Sequence, residues 1–186
     1  MKRSLTVIAL IVASVAGGGV WYVQSKLPTR QGQVELPTLQ EPVTVRYDER
    51  GVPHIRAGNQ LDMYRALGYV QAQDRLFQME IMRRLARGEL AEVLGPKLVD
   101  TDKLFRSLRI RERAASYVSE LDQQSPAWQA LQAYLDGINQ YQATHATPVE
   151  FDLLGITPAR LLPKTPSASP ATWPTALRPL FVPSRF

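Results

Sequence analysis

The chain reads GYVQAQDRLFQMEIMRR over residues 68–84, and this stretch decides the fold. At 3.6 residues per turn, one helical face carries Ala72, Leu76 and Met79, while Phe77 and Ile81 lie on another side. A helix that is apolar on two sides yet contains amides and charges is typical of burial between layers of structure. We therefore predict a buried helix whose polar groups are hydrogen-bonded inside the protein. From this stretch alone, a core helix that takes no part in any reaction remains an alternative.

Capping residues predict the limits of this helix. Asn59 is a good N-cap, and Gly88 can end the helix, so we expect it to run from about residue 60 to residue 87. Gly68 lies in its interior, where glycine costs roughly 1 kcal/mol relative to alanine. A glycine at that position indicates close backbone packing or a bend.

Strand and helix patterns continue on both sides. Residues 43–47 and 52–56 alternate in the strand manner around the turn residues 48–51, which predicts a hairpin. Pro53 cannot donate to a ladder, so its strand should lie at a sheet edge or begin there. Beyond Gly88 we predict further helices. They cover residues 89–94 (ended by Gly95), 100–121 as one or two helices, and 127–144 after Ser125-Pro126.

Composition excludes several classes of protein. The 186 residues are long enough for one domain with a sizeable core, and the absence of cysteine excludes disulfides and a thiol nucleophile. Six of the 22 basic residues lie in residues 2–3 and 160–186, whereas all 17 acidic residues lie between residues 17 and 159. The body is therefore close to neutral, and a nucleic-acid partner is not expected.

The N-terminus is predicted to be an export or anchoring segment, residues 1–23. Lys2-Arg3 precede an apolar stretch, and residues 14–16 offer small side chains for cleavage before Gly17. Residues 5–23 are also 19 uncharged residues in a row, long enough to span a bilayer. A cleaved signal peptide and a membrane anchor both remain open. Either predicts an exported body, periplasmic or anchored facing outside the cytoplasm.

Two segments are predicted to lack regular structure. Residues 24–41 have the composition of a linker. Residues 160–186 contain six prolines and no acidic residue, and we expect disorder across the tail, residues 159–186. Such an end is either an ordinary tail or translation in a shifted reading frame, and we favour the frameshift.

The body, residues 42–158, resembles the penicillin acylase family of N-terminal nucleophile hydrolases, at the start of the precursor. The resemblance rests on several motifs in order, with residues 68–84 among them. The other motifs are Val45-Arg46-Tyr47-Asp48, Gly51-Val52-Pro53-His54-Ile55-Arg56-Ala57, Asp62-Met63-Tyr64-Arg65-Ala66-Leu67, Gly88-Glu89-Leu90-Ala91-Glu92-Val93-Leu94-Gly95, Asp102-Lys103, Tyr134-Leu135-Asp136-Gly137-Ile138-Asn139 and Glu150-Phe151-Asp152-Leu153-Leu154-Gly155.

This resemblance implies an α+β protein: a mostly helical first-chain fragment of an αββα sandwich, with a short hairpin near residues 43–56. It also implies a precursor that cleaves itself into two chains. The nucleophile is then the N-terminal serine of the second chain, whose α-amino group is the general base for hydrolysis of linear amides. Family substrates include β-lactam side-chain amides and N-acyl homoserine lactones, and no cofactor is implied.

The tail departs from the family pattern. The resemblance implies further helices beyond residue 155, which supply the acyl pocket and, in some members, a calcium-binding glutamate. These 186 residues offer no position matching them or the nucleophile, so no catalytic, substrate-binding or metal residue is assigned. We therefore expect this chain alone to be inactive, with the second chain as its partner and an N-acylated small molecule as the substrate of the complete enzyme.

The residues singled out are assigned structural roles in the family motif. His54 is assigned to packing or hydrogen bonding, and His145 lies at a helix end. The pairs Asp74-Arg75 and Arg83-Arg84 are interpreted as buried ties rather than substrate clamps. The complete set of motif residues is Gly51, Pro53, His54, Gly68, Asp74, Arg75, Gln78, Glu80, Arg84, Gly95, Gly137 and Asn139.

Two hypotheses compete with the enzyme fragment. A membrane-anchored, non-catalytic helical module would bind a partner through the apolar surface that the other half would have covered. A nucleic-acid or lipid binder with a basic tail is disfavoured by the near-neutral body.

Overall fold

A computed structural model describes residues 2–161 and 178–182, with side chains described for residue 10 and residues 12–161. The protein is mostly helical, with a small sheet on one side of the core. The helices are α1 (Lys2–Ser25), α2 (Gln60–Arg87), α3 (Ala91–Leu94), α4 (Val99–Ser107), α5 (Ile110–Glu120), α6 (Pro126–Thr144) and α7 (Val149–Leu154). The strands are β1 (Gly32–Leu36), β2 (Val43–Tyr47), β3 (Pro53–Arg56) and β4 (Arg178–Val182).

The predicted hairpin is confirmed. Strands β2 and β3 pair antiparallel, with Val45 opposite Ile55 and Tyr47 opposite Pro53. Strand β3 begins at Pro53 and lies at the edge of a sheet of order β1-β4-β2-β3. An edge strand needs hydrogen bonds on one side only, so the missing proline N–H is tolerated there.

The long helix has the predicted limits. The Asn59 side chain accepts a hydrogen bond from the Asp62 amide, and Gly88 ends α2 in the left-handed conformation at φ 65°. The backbone leaves helical geometry at Arg75, where φ is −141° and the helix kinks. Helix α6 begins as predicted, with the Ser125 side chain as N-cap and Pro126 in the first turn.

The core forms where α2 packs between the sheet and α6. The α2 residues Ala66, Tyr69 and Leu76 are buried against sheet residues such as Val45 and α6 residues such as Ile138. This confirms the predicted fold class, a mostly helical α+β fragment with a short hairpin. The placement of α2 between two layers also explains why its sequence is apolar on two sides.

Two segments expected to be irregular contain strands. Gly32–Leu36 form β1 inside the predicted linker, and Arg178–Val182 form β4 inside the predicted disordered tail. The expectation of irregular structure is therefore wrong for these ten residues. Five residues of β1 pair with five residues of β4, so each strand supplies hydrogen-bond partners for the backbone of the other. The composition of either segment alone does not predict this pairing. Residues 162–177 and 183–186 lie outside the described residues, and the frameshift stays a prediction.

Helix α1 covers the predicted leader. Among the residues whose side chains are described, no helix is both long enough and apolar enough to cross a membrane. The side chains of residues 2–9 and 11, part of the predicted apolar stretch, lie outside the described ones. Signal peptide and anchor both stay predictions.

Candidate functional site on helix α2

Helices α2 and α6 cross in backbone contact at two glycines. A Cβ atom added at Gly68 would lie 2.0 Å from the carbonyl oxygen of Tyr134, and one added at Gly137 would lie 1.9 Å from that of Arg65. Real Cβ contacts are never this short, so only glycine permits the crossing. The predicted close packing at Gly68 therefore involves Gly137 on the partner helix.

A fully buried carboxylate lies at the start of α2. The Asp62 carboxylate accepts hydrogen bonds from the backbone amides of Gln40 and Glu41, at 2.8–3.0 Å, and from the Asn59 side-chain amide at 2.7 Å. Arg65 binds the same carboxylate at 2.8 Å and reaches Asp136 on α6 at 2.9 Å. Asp62 thus connects the loop before β2, the helix start and, through Arg65, α6. We call this set the Asp62 cluster.

Gln73 connects α2 to strand β2 and to the segment before β1. Its side-chain oxygen accepts from the Tyr47 hydroxyl at 3.0 Å, and its side-chain nitrogen donates to the Thr29 carbonyl at 2.7 Å. Both ends of the amide are therefore satisfied in a nearly buried position. Next to it, Asp74 pairs with Arg30 on the surface.

The C-terminal half of α2 contains an ion triad, in which a buried glutamate pairs with two partly buried arginines. The Glu80 carboxylate accepts two hydrogen bonds from Arg83, at 2.7 and 2.8 Å, and one from Arg84 at 2.8 Å. Burial favours the protonated form of Glu80, but the hydrogen bonds and charges of the two arginines outweigh it and lower its pKa. Arg84 also approaches Glu92 at 3.4 Å, which joins α2 to α3. Arg83 and Arg84 were expected to tie α2 to the rest of the fold, but their shared partner Glu80 lies on α2 itself, so these contacts lie within the helix.

The other expected tie differs. The Arg75 side chain is 59% exposed, and its guanidinium is 3.9 Å from Asp74 and 3.3 Å from the Gln78 amide oxygen. Gln78 is exposed as well. Within the described residues, Asp74-Arg75 is therefore a surface pair and not a buried tie. Counted from Gln71, the residues Asp74, Arg75 and Gln78 stand at the i+3, i+4 and i+7 positions of one helical face, and all four are exposed. Their place on the surface therefore follows from the helical period.

The remaining motif residues shape turns and connections. Gly51, at φ 77°, closes the hairpin turn around Asp48, whose carboxylate lies 3.4 Å from the exposed His54 ring. Gly95, at φ 96°, follows α3. Asn139 on α6 donates to the Leu161 carbonyl at 2.6 Å and accepts from its amide at 2.9 Å, which holds the chain beyond α7.

A third buried carboxylate was not identified as such from the sequence. Asp102 on α4 accepts hydrogen bonds from the backbone amides of Leu90 and Ala91, at 2.9 and 2.8 Å. It therefore satisfies free donors at the start of α3, as a cap from a distant residue. The sequence contained this residue in the motif Asp102-Lys103, but that motif does not predict which backbone amides the carboxylate binds.

One hydroxyl–imidazole contact invites comparison with a nucleophile and its base. Thr144 Oγ1 lies 2.9 Å from His145 Nδ1, and it also donates to the Gln140 carbonyl at 2.8 Å. A hydroxyl has one proton, so here it accepts from Nδ1–H and is not activated as a nucleophile. His145 stacks on Tyr141, with ring centroids 4.5 Å apart, which is a packing role at the helix end.

A groove opens beside the C-terminal half of α2. It has a volume of about 510 Å³ and is bounded by α2, α5, α6 and residues 159–161. Alanine, leucine, isoleucine and valine side chains line it, and Arg83, Arg87, Arg111 and Arg160 stand at it. Among the described residues, no group of three or more potential metal ligands occurs. The groove offers apolar contact and positive charge to a ligand.

Comparison with known proteins agrees with this geometry. The penicillin amidase family profile matches residues 42–173. The chain is 42% identical over 137 residues to the penicillin acylase 2 proenzyme of Pseudomonas sp. (strain SE83), and 36% identical over 138 residues to penicillin G acylase of Escherichia coli. It is 34% identical over 143 residues to the acyl-homoserine lactone acylase QuiP of Pseudomonas fluorescens (strain Pf0-1). These alignments cover 73%, 69% and 76% of this chain, but only 17%, 16% and 17% of the relatives.

A solved structure shares the fold. The thermostable penicillin G acylase from Alcaligenes faecalis matches with a TM-score of 0.54 and 30% identity, over 70% of this chain and 67% of that one. The hairpin, the long α2 and the α6 crossing therefore define the first-chain part of an N-terminal nucleophile hydrolase. The chain belongs to the penicillin amidase family.

Proposed function

We propose that these 186 residues are the N-terminal part of the first chain of an amidohydrolase that cleaves linear amide bonds in N-acyl compounds. The glycine crossing between α2 and α6 carries the proposal, because Gly68 begins the longest family motif, residues 68–84, and the chain matches the fold of a penicillin G acylase. The names of the relatives indicate two substrate classes, β-lactams with an acylated side chain and acyl-homoserine lactones. Both contain a linear amide next to a lactam or lactone ring.

In this proposal the described residues scaffold the enzyme and do not perform its chemistry. The buried carboxylates of Asp62, Glu80 and Asp102 each accept hydrogen bonds from arginine side chains or amide groups, which supports a structural role for all three. The nucleophile would come from a second chain of the same precursor, which is the proposed partner. The chain spans 17% of the length of the SE83 proenzyme, which agrees with that division.

The purified 186-residue chain is expected to show no acylase activity. The hydrolysis rate of an N-acyl chromogenic anilide should equal the rate in buffer alone, because the chain supplies no activated nucleophile for acyl transfer. Circular dichroism on the same sample must show helix, so that inactivity is not a failure to fold. Turnover that survives repurification and disappears in a Gly137→Ala variant would contradict the proposal.

A non-catalytic interaction module is the second candidate. The large apolar side chains of Met82, Leu104, Leu108 and Tyr117 are exposed beside the groove helices. Such a surface suits contact with another protein surface. If the chain is part of an amidohydrolase, the second chain would cover this apolar surface. If it is an interaction module, a separate partner protein would cover it.

A further inference from the structure

Strands β1 and β2 form the two arms of an opened hairpin. Because β4 is antiparallel to β1 and parallel to β2, the two arms run antiparallel to each other. Residues 37–42 connect them, which is slightly longer than the usual hairpin loop of about two to five residues. Strand β4 lies between the arms, and Leu180 is in register with both Val34 and Val43. Neighbouring strands lie about 4.8 Å apart, so the arms stand roughly 9.6 Å apart, one strand wider than in a hairpin.

Contacts that do not involve β4 hold the arms in place. The connection is pinned to α2 by the hydrogen bonds from Gln40 and Glu41 to Asp62, and Leu39 is buried in the core. Before β1, the Thr29 carbonyl accepts from Gln73. Each end of the β1 arm is thus attached to α2 by its own bonds. These attachments of the β1 arm do not depend on the strand that lies between the arms.

The gap has the chemistry of a strand-binding site. Each arm presents backbone N–H and C=O groups towards it, and within the described residues β1 has no partner other than β4. Val34 and Val43, which flank the central position, both belong to or pack on the hydrophobic core, and Val43 is fully buried. A ligand for this gap must be extended, must be able to donate and accept along both sides, and must be apolar at its centre.

We propose that the gap between β1 and β2 is a peptide-binding site for an extended apolar strand, and that Arg178–Val182 occupies it in cis as a displaceable strand. Five residues pair with β1, but only two pair with β2, so the strand is held chiefly on one side. The attachment to the same chain gives it an effective concentration on the order of millimolar, enough to exclude a weak peptide in trans. Weakening the cis strand should then open the site. This inference does not depend on enzymatic function.

A labelled peptide with the sequence of residues 177–183 tests the proposal on the full-length chain by fluorescence anisotropy. The variant Leu180→Pro, Phe181→Pro removes two backbone N–H groups from β4 and should release it. The matched control Leu180→Val, Phe181→Tyr keeps both N–H groups and the strand propensity. We expect the peptide to bind the proline variant at least tenfold more tightly than it binds the wild type or the control.

Hydrogen exchange gives an independent readout of the same site. Amides of residues 32–36 should exchange slowly in the wild type and the control, faster in the proline variant, and slowly again when the peptide is added. Equal peptide binding to all three proteins, or none to the proline variant while its helices remain folded, would overturn the proposal. So would a wild-type dimer formed by exchange of the tail strand, because the occupant would then act in trans.

Discussion

Replacing Asp62 with alanine is expected to lower the free energy of unfolding by about 3–5 kcal/mol, the usual cost of removing one partner of a buried charged pair. The carboxylate is completely buried, and every group that contacts it is a donor. Its removal leaves the amides of Gln40 and Glu41 without their acceptor and Arg65 with Asp136 alone. Urea unfolding followed by circular dichroism measures the change.

Two further variants separate charge from volume at this position. Asp62→Asn keeps the size of the side chain, but its amide nitrogen must face hydrogen-bond donors whichever way the amide is turned. We therefore expect this variant to lower the free energy of unfolding by more than half as much as Asp62→Ala does. Asp100→Ala is the matched control, because that side chain is 94% exposed and forms a surface pair with Lys103, and its change should stay below about 1 kcal/mol. A loss below 1 kcal/mol for both Asp62 variants would show that the Asp62 cluster does not support the fold.

The second large effect is expected at the helix crossing. Gly68→Ala and Gly137→Ala should each lower the free energy of unfolding by about 3 kcal/mol or more, at or beyond the upper end for overpacking. The added methyl group would meet backbone atoms at 2.0 and 1.9 Å, and backbone cannot move aside as a flexible side chain can. The two helices must separate, which disturbs the core around Tyr69 and Ile138.

The double variant is informative because both methyl groups act on one crossing. Once the first has separated the helices, the second meets less resistance, so the combined loss should be smaller than the sum of the two. Gly18→Ala is the control: it lies in α1 with no atom within 4 Å of the added Cβ, so its change should stay within about 1 kcal/mol. Unchanged urea midpoints for both single variants would refute the close crossing.

Local signals in the sequence predicted the elements that depend on neighbouring residues. The limits of α2 follow from Asn59 and Gly88, and the hairpin follows from strand alternation around Gly51. Gly68 was correctly linked to close packing because a glycine in a helix interior needs a compensating reason. In each case the prediction rests on residues within a few positions of each other or on a general property of one residue type.

Contacts between distant residues could not be predicted in the same way. Asp62 was named as part of a family motif, but its bonds to Gln40 and Glu41, 22 and 21 residues away, require the tertiary fold. Strands β1 and β4 are 142 or more residues apart in the sequence, and neither stretch has a strand pattern strong enough to stand alone. Arg75 was expected inside, but this error was not one of distance along the chain, because the helical spacing places it on one exposed face with Asp74 and Gln78.

The central claim is that residues 42–158 are a working first-chain scaffold of the penicillin amidase family. A chimera tests it most directly: these residues replace the matching region of the SE83 penicillin acylase 2 proenzyme. Denaturing gels follow cleavage into two chains, and an N-acyl chromogenic substrate reports turnover. We predict that the chimera matures and hydrolyses the substrate, and that the same chimera with Gly137→Ala does neither. A soluble, helical chimera that stays a single chain without turnover would contradict the account.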